Sequence, residues 1–346
     1  MGMKGFKGFE KDFSCGGKQC EENTTYEEYG EGCCYKGVMH FYEDPWEVLN
    51  HYDLVDGNGN LSEFAEVEAL GQVWNDGEKR ATNKIHVGAK LGLKGFLKAC
   101  IDFTLEKTNG TNLSGNSAQI GSSGDSAQIG SSGDSAQIGS SGNYAQIGSS
   151  GYSAQIGSSG DSAQIGSSGN YAQIGSSGYY AQIGSSGYSA QIGSSGDSAK
   201  IGSSGYYAQI GSSGYYAQIG SSGYSAQIGS SGDYAKIGSS GYYAQIGSSG
   251  YSAQIGSSGD SAQIGSSGDY AQINSTGEDA VIMCAGRKSK AKGKKGSWIT
   301  LAEWVKDEEK GRYVPICVKT ERVDGEKIKD DTYYTLKNGE FSEVEE

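Results

Sequence analysis

The stretch Gly121-Ser122-Ser123-Gly124-Asp125-Ser126-Ala127-Gln128-Ile129 decides the fold of this chain. It returns with small changes from Gly115 to Ile282, and Ile recurs nineteen times, at every ninth position from Ile120 onward, without insertion or deletion. A short fixed period means that one structural unit is stacked along an axis. Gly (58 of 346 residues) and Ser at this density otherwise suggest a flexible linker. A linker, however, has no reason to keep one β-branched residue in phase through every copy.

Within the unit, Gly121-Ser122-Ser123-Gly124 is predicted to turn, because Gly accepts backbone angles that other residues resist. The following residues alternate as a strand does, with Ala127 and Ile129 inward and Ser126 and Gln128 outward. Lys200 and Lys236 replace only the Gln, as suits an outward side chain. The position after the second Gly holds Asp125, Asn143 or Tyr152 and is placed at a corner. One unit cannot enclose a core, but two can. The expected fold is therefore mainly β: a parallel β-solenoid of two nine-residue units per coil. Nineteen units give about nine and a half coils and, at ~4.8 Å per coil, a rod about 45 Å long. A triangular coil of three units is the alternative.

Sixteen of the 24 tyrosines lie in this rod. In a two-unit coil Tyr188, Tyr206, Tyr224 and Tyr242 would stack into a ladder at the corner, while Tyr180 and Tyr216 occupy the first outward position. Such rings shield the strands and add roughly a few tenths to one kcal/mol per pair. They also make these six residues the candidate binding residues, as a strip for sugar rings or for another surface.

The flanks divide the chain into 1–108, 115–282 and 283–346. Upstream, Asp44-Pro45-Trp46-Glu47 starts a helix with Asp as cap. Phe64–Leu70 and Lys84–Ala89 read as strands. Leu93, Phe96, Leu97, Cys100 and Ile101 fall at helical spacing, giving an amphipathic helix expected to lie over the first coil. Natural solenoids cover their open strand edges in this way. Downstream, Arg287, Lys288, Lys290, Lys292, Lys294 and Lys295 read as a basic loop. Trp298–Trp304, Tyr313–Val318 and Thr332–Leu336 then read as antiparallel strands of a C-terminal cap, with a hairpin turn at Lys337–Glu340.

The chemistry in the sequence is sparse. Net charge is -13, which disfavours general nucleic-acid binding. No stretch resembles a signal peptide or a membrane span, so a cytoplasmic location in a bacterial host and free thiols are expected. Cys15, Cys20, Cys33, Cys34 and His40 fit no common zinc spacing. Asp56–Ser62 places oxygens as a calcium loop would, but Leu61 and Val67 stand where that loop needs Gly and Glu. His40, His51 and His86 lie in no catalytic pattern. No metal, cofactor or catalytic residue is assigned, and an enzyme is not expected.

The flanks carry a resemblance. Met3-Lys4-Gly5-Phe6-Lys7-Gly8-Phe9, the segment Gly37–Leu49, Phe64-Ala65-Glu66-Val67-Glu68-Ala69, Gly92–Leu97 and Lys290–Ile299 resemble an uncharacterised family of phages, prophages and gut Firmicutes. Its members have short-period repeats between the same two flanks, so the resemblance implies mobile-element origin and architecture but no activity. The unit is also loosely similar to the Ala-Ile-Gly repeats in trimeric adhesin heads. The expected role is a rigid scaffold or protein-binding surface with an unidentified partner, or self-association through the Tyr faces. The rivals are a glycan-binding rod using the Tyr strips, an ice binder, and an acidic nucleic-acid mimic. Nine carboxylates against Lys200 and Lys236 are sparse for the last.

Overall fold

The computed structural model describes residues 2–15, 17–32, 37–56, 59–107 and 115–345. The N-terminal strands are β1 (Met3–Phe9), β2 (Ser14–Cys15), β3 (Lys18–Gln19), β4 (Thr24–Glu27), β5 (Met39–Tyr42), β6 (Glu63–Ala69), β7 (Val73–Asp76), β8 (Lys79–Thr82) and β9 (Lys84–Lys90). Seven of them form one antiparallel sheet, in the order β4-β9-β6-β1-β5-β8-β7. Helix α1 (Pro45–Val48) begins as expected, with the Asp44 carboxylate accepting the Trp46 N–H at 2.8 Å. Helix α2 (Gly92–Lys107) buries Leu93, Phe96, Leu97, Cys100 and Ile101, the stripe read from the sequence.

The rod begins with β10 (Gln119–Ser122) and β11 (Gln128–Ser131) and adds a four-residue strand every nine residues to β28 (Val281–Cys284), followed by β29 (Lys290–Lys292). Even-numbered strands form one parallel sheet and odd-numbered strands the other. Gln119 pairs with Gln137, eighteen residues on, which settles the coil at two units and removes the triangular alternative. About ten coils stack in this way. Ala and Ile line the thin core between the sheets; Ala136 and Ile147 are fully buried.

The strand lies about two residues later than the sequence reading placed it. Gln-Ile-Gly-Ser is extended, and the turn falls on Gly124-Asp125-Ser126, where Ser126 takes the left-handed conformation at φ 57°. Only the second glycine therefore keeps a place in the turn expected of both. The first sits in the strand facing outward, beside the Gln. The second packs on the coil below, where a Cβ at Gly142 would strike the Gly124 carbonyl. Of the Ser pair, the first turns inward: Ser149 is buried and its Oγ accepts the Gly151 N–H at 3.4 Å.

Coiling also continues past Ile282. The segment expected as a basic loop is a further rung, with β29 parallel to β27 and Ala291 in the Ile position. The last rung is the start of β30 (Trp298–Asp307), whose Trp298–Leu301 pairs parallel with β28. β30 then pairs antiparallel with β31 (Arg312–Arg322), while β32 (Tyr334–Lys337) and β33 (Glu340–Glu343) extend the odd sheet. The expected hairpin is present, with Asn338 and Gly339 both at positive φ. Val323, Ile328 and Tyr334 close the end of the core.

The two flanks cap the rod, the N-terminal one from the side. Helix α2 reaches the first coil, as expected, but continues across the outward face of the odd sheet over β11, β13, β15 and β17. Among the described residues, no helix is long and apolar enough to cross a membrane.

Candidate binding surfaces of the rod

Each coil presents two faces and two corners, and the repeat gives all of them nearly the same chemistry. On the odd face the outward Gly row is occupied. A Cβ at Gly148 would meet Ile101 at 3.3 Å, at Gly166 Trp46 at 3.1 Å, and at Gly184 Leu97 at 2.6 Å. Farther along, Gly202 faces Leu54 at 2.9 Å and Leu61 at 3.1 Å, and Gly238 lies directly on the Gly59 backbone. The missing side chains thus form a trough that receives the apolar groups of the N-terminal domain.

The Gln row beside this trough holds the same domain by hydrogen bonds. Gln164 Nε2 donates to the Trp46 carbonyl at 3.4 Å and to Asn50 Oδ1 at 3.3 Å. Gln182 Nε2 donates to the Leu49 carbonyl at 3.1 Å, and Lys200 forms an ion pair with Asp53. Apolar insertion and polar clasp together dock a folded domain on one flat β-face.

The even face carries the same equipment, and none of the described residues packs on its Gly row. Its Gln row is unbroken from Gln119 to Gln263, and its Gly row runs from Gly121 to Gly265. A Cβ at any of these glycines would meet no atom within 4 Å. Neither row contains a charge, whereas both rod lysines, Lys200 and Lys236, are on the odd face. At the C-terminal end the even face becomes apolar, with Val281, Met283 and Trp298 exposed by 52%, 53% and 48%.

The tyrosines occupy the two corners. Tyr188, Tyr206, Tyr224 and Tyr242 form the expected ladder, with ring centroids 5.6, 4.8 and 5.6 Å apart and interplanar angles of 10°, 16° and 7°. Tyr207 and Tyr243 meet this ladder edge-on. Tyr180 and Tyr216 lie on the other corner, two coils apart, each against its own neighbour Tyr179 or Tyr215. The six candidate residues are therefore split between opposite edges. At several corners an Asp carboxylate accepts the corner N–H of the next coil, as Asp197 accepts from Tyr215 at 3.1 Å and Asp260 from Glu278 at 2.8 Å. Partial burial, followed by the neighbouring Tyr207 and Tyr206 phenols, raises the Tyr188 pKa.

The other candidates resolve into structure. Arg287 pairs with Asp269 one coil below and lies 4.2 Å from the Tyr313 ring centroid. Lys288 covers Tyr270, Lys290 covers Tyr333, and Lys294 pairs with Asp331. Cys33 and Cys34 lie outside the described residues, as do residues 57 and 58 of the calcium-like loop. Cys15 Sγ is 3.0 Å from the Tyr52 hydroxyl. Among the described residues no three His, Cys, Asp or Glu side chains gather as a metal site. Where the N-terminal domain meets the odd face, Glu47 is pushed up to about 7. Burial is the main cause, followed by the hydrogen bond and charge of Glu78 and the charge of Asp44, with Asn50 opposing.

Residues 3–99 match a family described as a domain of unknown function (DUF7666). This is the region that forms the N-terminal sheet and the first half of α2. No curated protein and no solved structure matches the chain.

The outward Gly row is hidden in the sequence because Gly-Ser-Ser-Gly reads wholly as turn. The signal was nevertheless present: Gly stands two residues after the outward Gln and so shares its face.

Proposed function

We propose that the protein is a non-enzymatic scaffold of mobile-element origin, a stiff rod whose flat faces hold other proteins. One observation carries this reading: the chain already docks a folded domain on one face through a Gly trough and a Gln row, and it repeats that arrangement on the opposite face. A face that recurs every ~4.8 Å suits an extended protein surface better than a small ligand.

The ladder geometry disfavours the glycan strip. Sugars stack on exposed ring faces, whereas Tyr206 and Tyr224 each turn both faces toward neighbouring rings and leave their edges to solvent. The ice-binding reading weakens as well, because the first Ser of each pair points inward and leaves a single outward row of Ser.

The test is site-specific photocrosslinking of the full chain in its native host. The probe is placed at Gln191 on the even face, at Tyr206 on a corner, or at Glu308 on the C-terminal tip. Protein adducts concentrated at Gln191 support the scaffold. Adducts confined to Glu308, or glycan adducts at Tyr206, overturn it.

A further inference from the structure

We infer that the even face is the interface of a parallel homodimer, in which the Gln row of each copy lies in the Gly trough of the other. This rests on the scaffold reading and names the partner as a second copy of this chain.

The argument starts from relief. Along the even face one row is raised by Gln side chains, and the row two residues on, ~7 Å away, is recessed because Gly has none. Both rows run parallel to the rod axis for nine rungs. A two-fold axis lying along the rod, between the rows, exchanges them. Each Gln row then enters the partner's trough, so the contact is isologous and closed. A two-fold axis along the strands would set Gln against Gln and Gly against Gly, leaving the troughs empty. Relief therefore selects the arrangement with both rods pointing the same way.

Three further features agree. The face carries no charge over these nine rungs, so a second copy meets no like-charge repulsion, and an acidic or basic partner would find nothing to pair with. The same relief on the odd face is filled by apolar groups and amide hydrogen bonds, so the trough accepts side chains when they are offered. The N-terminal surface that fills it there is already buried and cannot serve a neighbour. At the C-terminal end, Val281 in the Gln register and Met283 in the Gly register would meet their exchanged counterparts across the axis. That pairing gives these exposed apolar residues a partner.

Size is sufficient. About nine rungs at ~4.8 Å by four residues at ~3.3 Å gives roughly 550–600 Å² per copy, or about 1,100–1,200 Å² in all. That lies at the lower edge of specific interfaces and fits a dimer formed at micromolar concentration. Each outward Gly also costs a strand roughly 0.5–1 kcal/mol relative to Ala, a cost with no return inside the monomer on this face.

The test is light scattering on the full chain at about 100 µM, with Gln191→Lys/Gln227→Lys as the disrupting variant. The odd face carries Lys at Lys200 and Lys236, also two coils apart, so the fold tolerates this substitution. Wild type should weigh as a dimer, and the variant as a monomer with an unchanged melting curve. Gly193→Glu/Gly229→Glu, built into open space, should give the same loss. Met283→Cys should add a cross-linked dimer with a short bis-maleimide, because only parallel rods bring the two C-terminal ends together. A monomeric wild type, a dimer unaffected by both pairs of substitutions, or no gain in cross-linking overturns the inference. A monomer that still gives foreign-protein adducts at Gln191 would leave the scaffold reading standing.

Discussion

Two alanine substitutions nine residues apart, Gly238→Ala and Gly247→Ala, should have opposite effects. The two glycines occupy the same place in the repeat, stand between the same Ile and Ser-Ser neighbours, and belong to opposite faces. At Gly247 the added methyl enters open space. The backbone there is ordinary extended strand, so Ala should stabilise the rung by about 0.5–1 kcal/mol by reducing the freedom of the unfolded chain. At Gly238 the methyl would sit on the carbonyl oxygen, carbon and Cα of Gly59, a backbone obstacle with no side chain to rotate away. Overpacking of this kind costs typically 1–3 kcal/mol. Taking about 2 kcal/mol, the docked segment should open roughly 30-fold more often. Hydrogen exchange reads this directly at the Asp56 and Ser62 amides, which donate to Asn60 and Leu54 across that segment. Gly238→Ala should accelerate both about 30-fold, and Gly247→Ala should leave them unchanged. The measurement belongs at a dilution where the chain is monomeric. Equal effects at the two sites, or a silent Gly238→Ala, would refute the assignment of docked and free faces.

Three other outcomes follow from the same packing. Glu47 has a folded pKa of about 7 against 4.5 for the free side chain, so the native state keeps a proton that the unfolded state has released. Its contribution to stability is fully present below about pH 4.5 and is lost as pH rises through 7; Glu47→Gln should flatten that part of the stability–pH curve and raise Tm at pH 8. Tyr206→Ala should cost about 1 kcal/mol in ladder contacts, and Tyr206→Asp less, because Asp260 on the same corner accepts the N–H of the next corner residue, Glu278; urea denaturation that ranks Asp below Ala would count against the corner chemistry. Cys284, pushed up to about 12 by burial, and the fully buried Cys100, raised by the same cause, should resist maleimide until the chain unfolds, while the half-buried Cys15 and Cys317 react in the native state. Mass spectrometry of native labelling decides this.

The repeat made the architecture legible because period and parity are exact properties of a sequence. Ile every nine residues sets the rung, and Ala two residues before it sets the inward face. Tyr at intervals of eighteen predicts a ladder once two units close a coil. The turn reads two residues early for a physical reason: Gly is the usual mark of positive φ, yet the left-handed residue is Ser126 or Tyr144, while the second Gly of the stacked units serves close approach to the coil below and the first does so only under the N-terminal domain. The extra rung at Lys290–Lys292 was obscured because Ala291 replaces Ile and the lysines point outward, so composition resembled a loop while parity was preserved. Docking of the N-terminal domain on the side of the rod was not legible at all. Nothing local in Leu97 or Trp46 distinguishes a helix that covers a strand edge from one that lies in a trough of missing side chains.

Because a single unit serves both sheets, whatever the odd face needs for docking is written on the even face too, unless substitution removes it. Lys200 and Lys236 show that the Gln position tolerates change, and both changes fall where the N-terminal domain is near, one of them paired with Asp53. On the even face all nine rungs keep Gln and Gly, and the first departures are Val281 and Met283, which add apolar surface in place of charge. Duplication alone would copy the trough to both sides. It would not keep charge off one side while making the end of that side more apolar. Those two features fit a face that is covered in the assembled state, and they distinguish it from a solvated flank, where a Lys or Glu at the Gln position costs nothing.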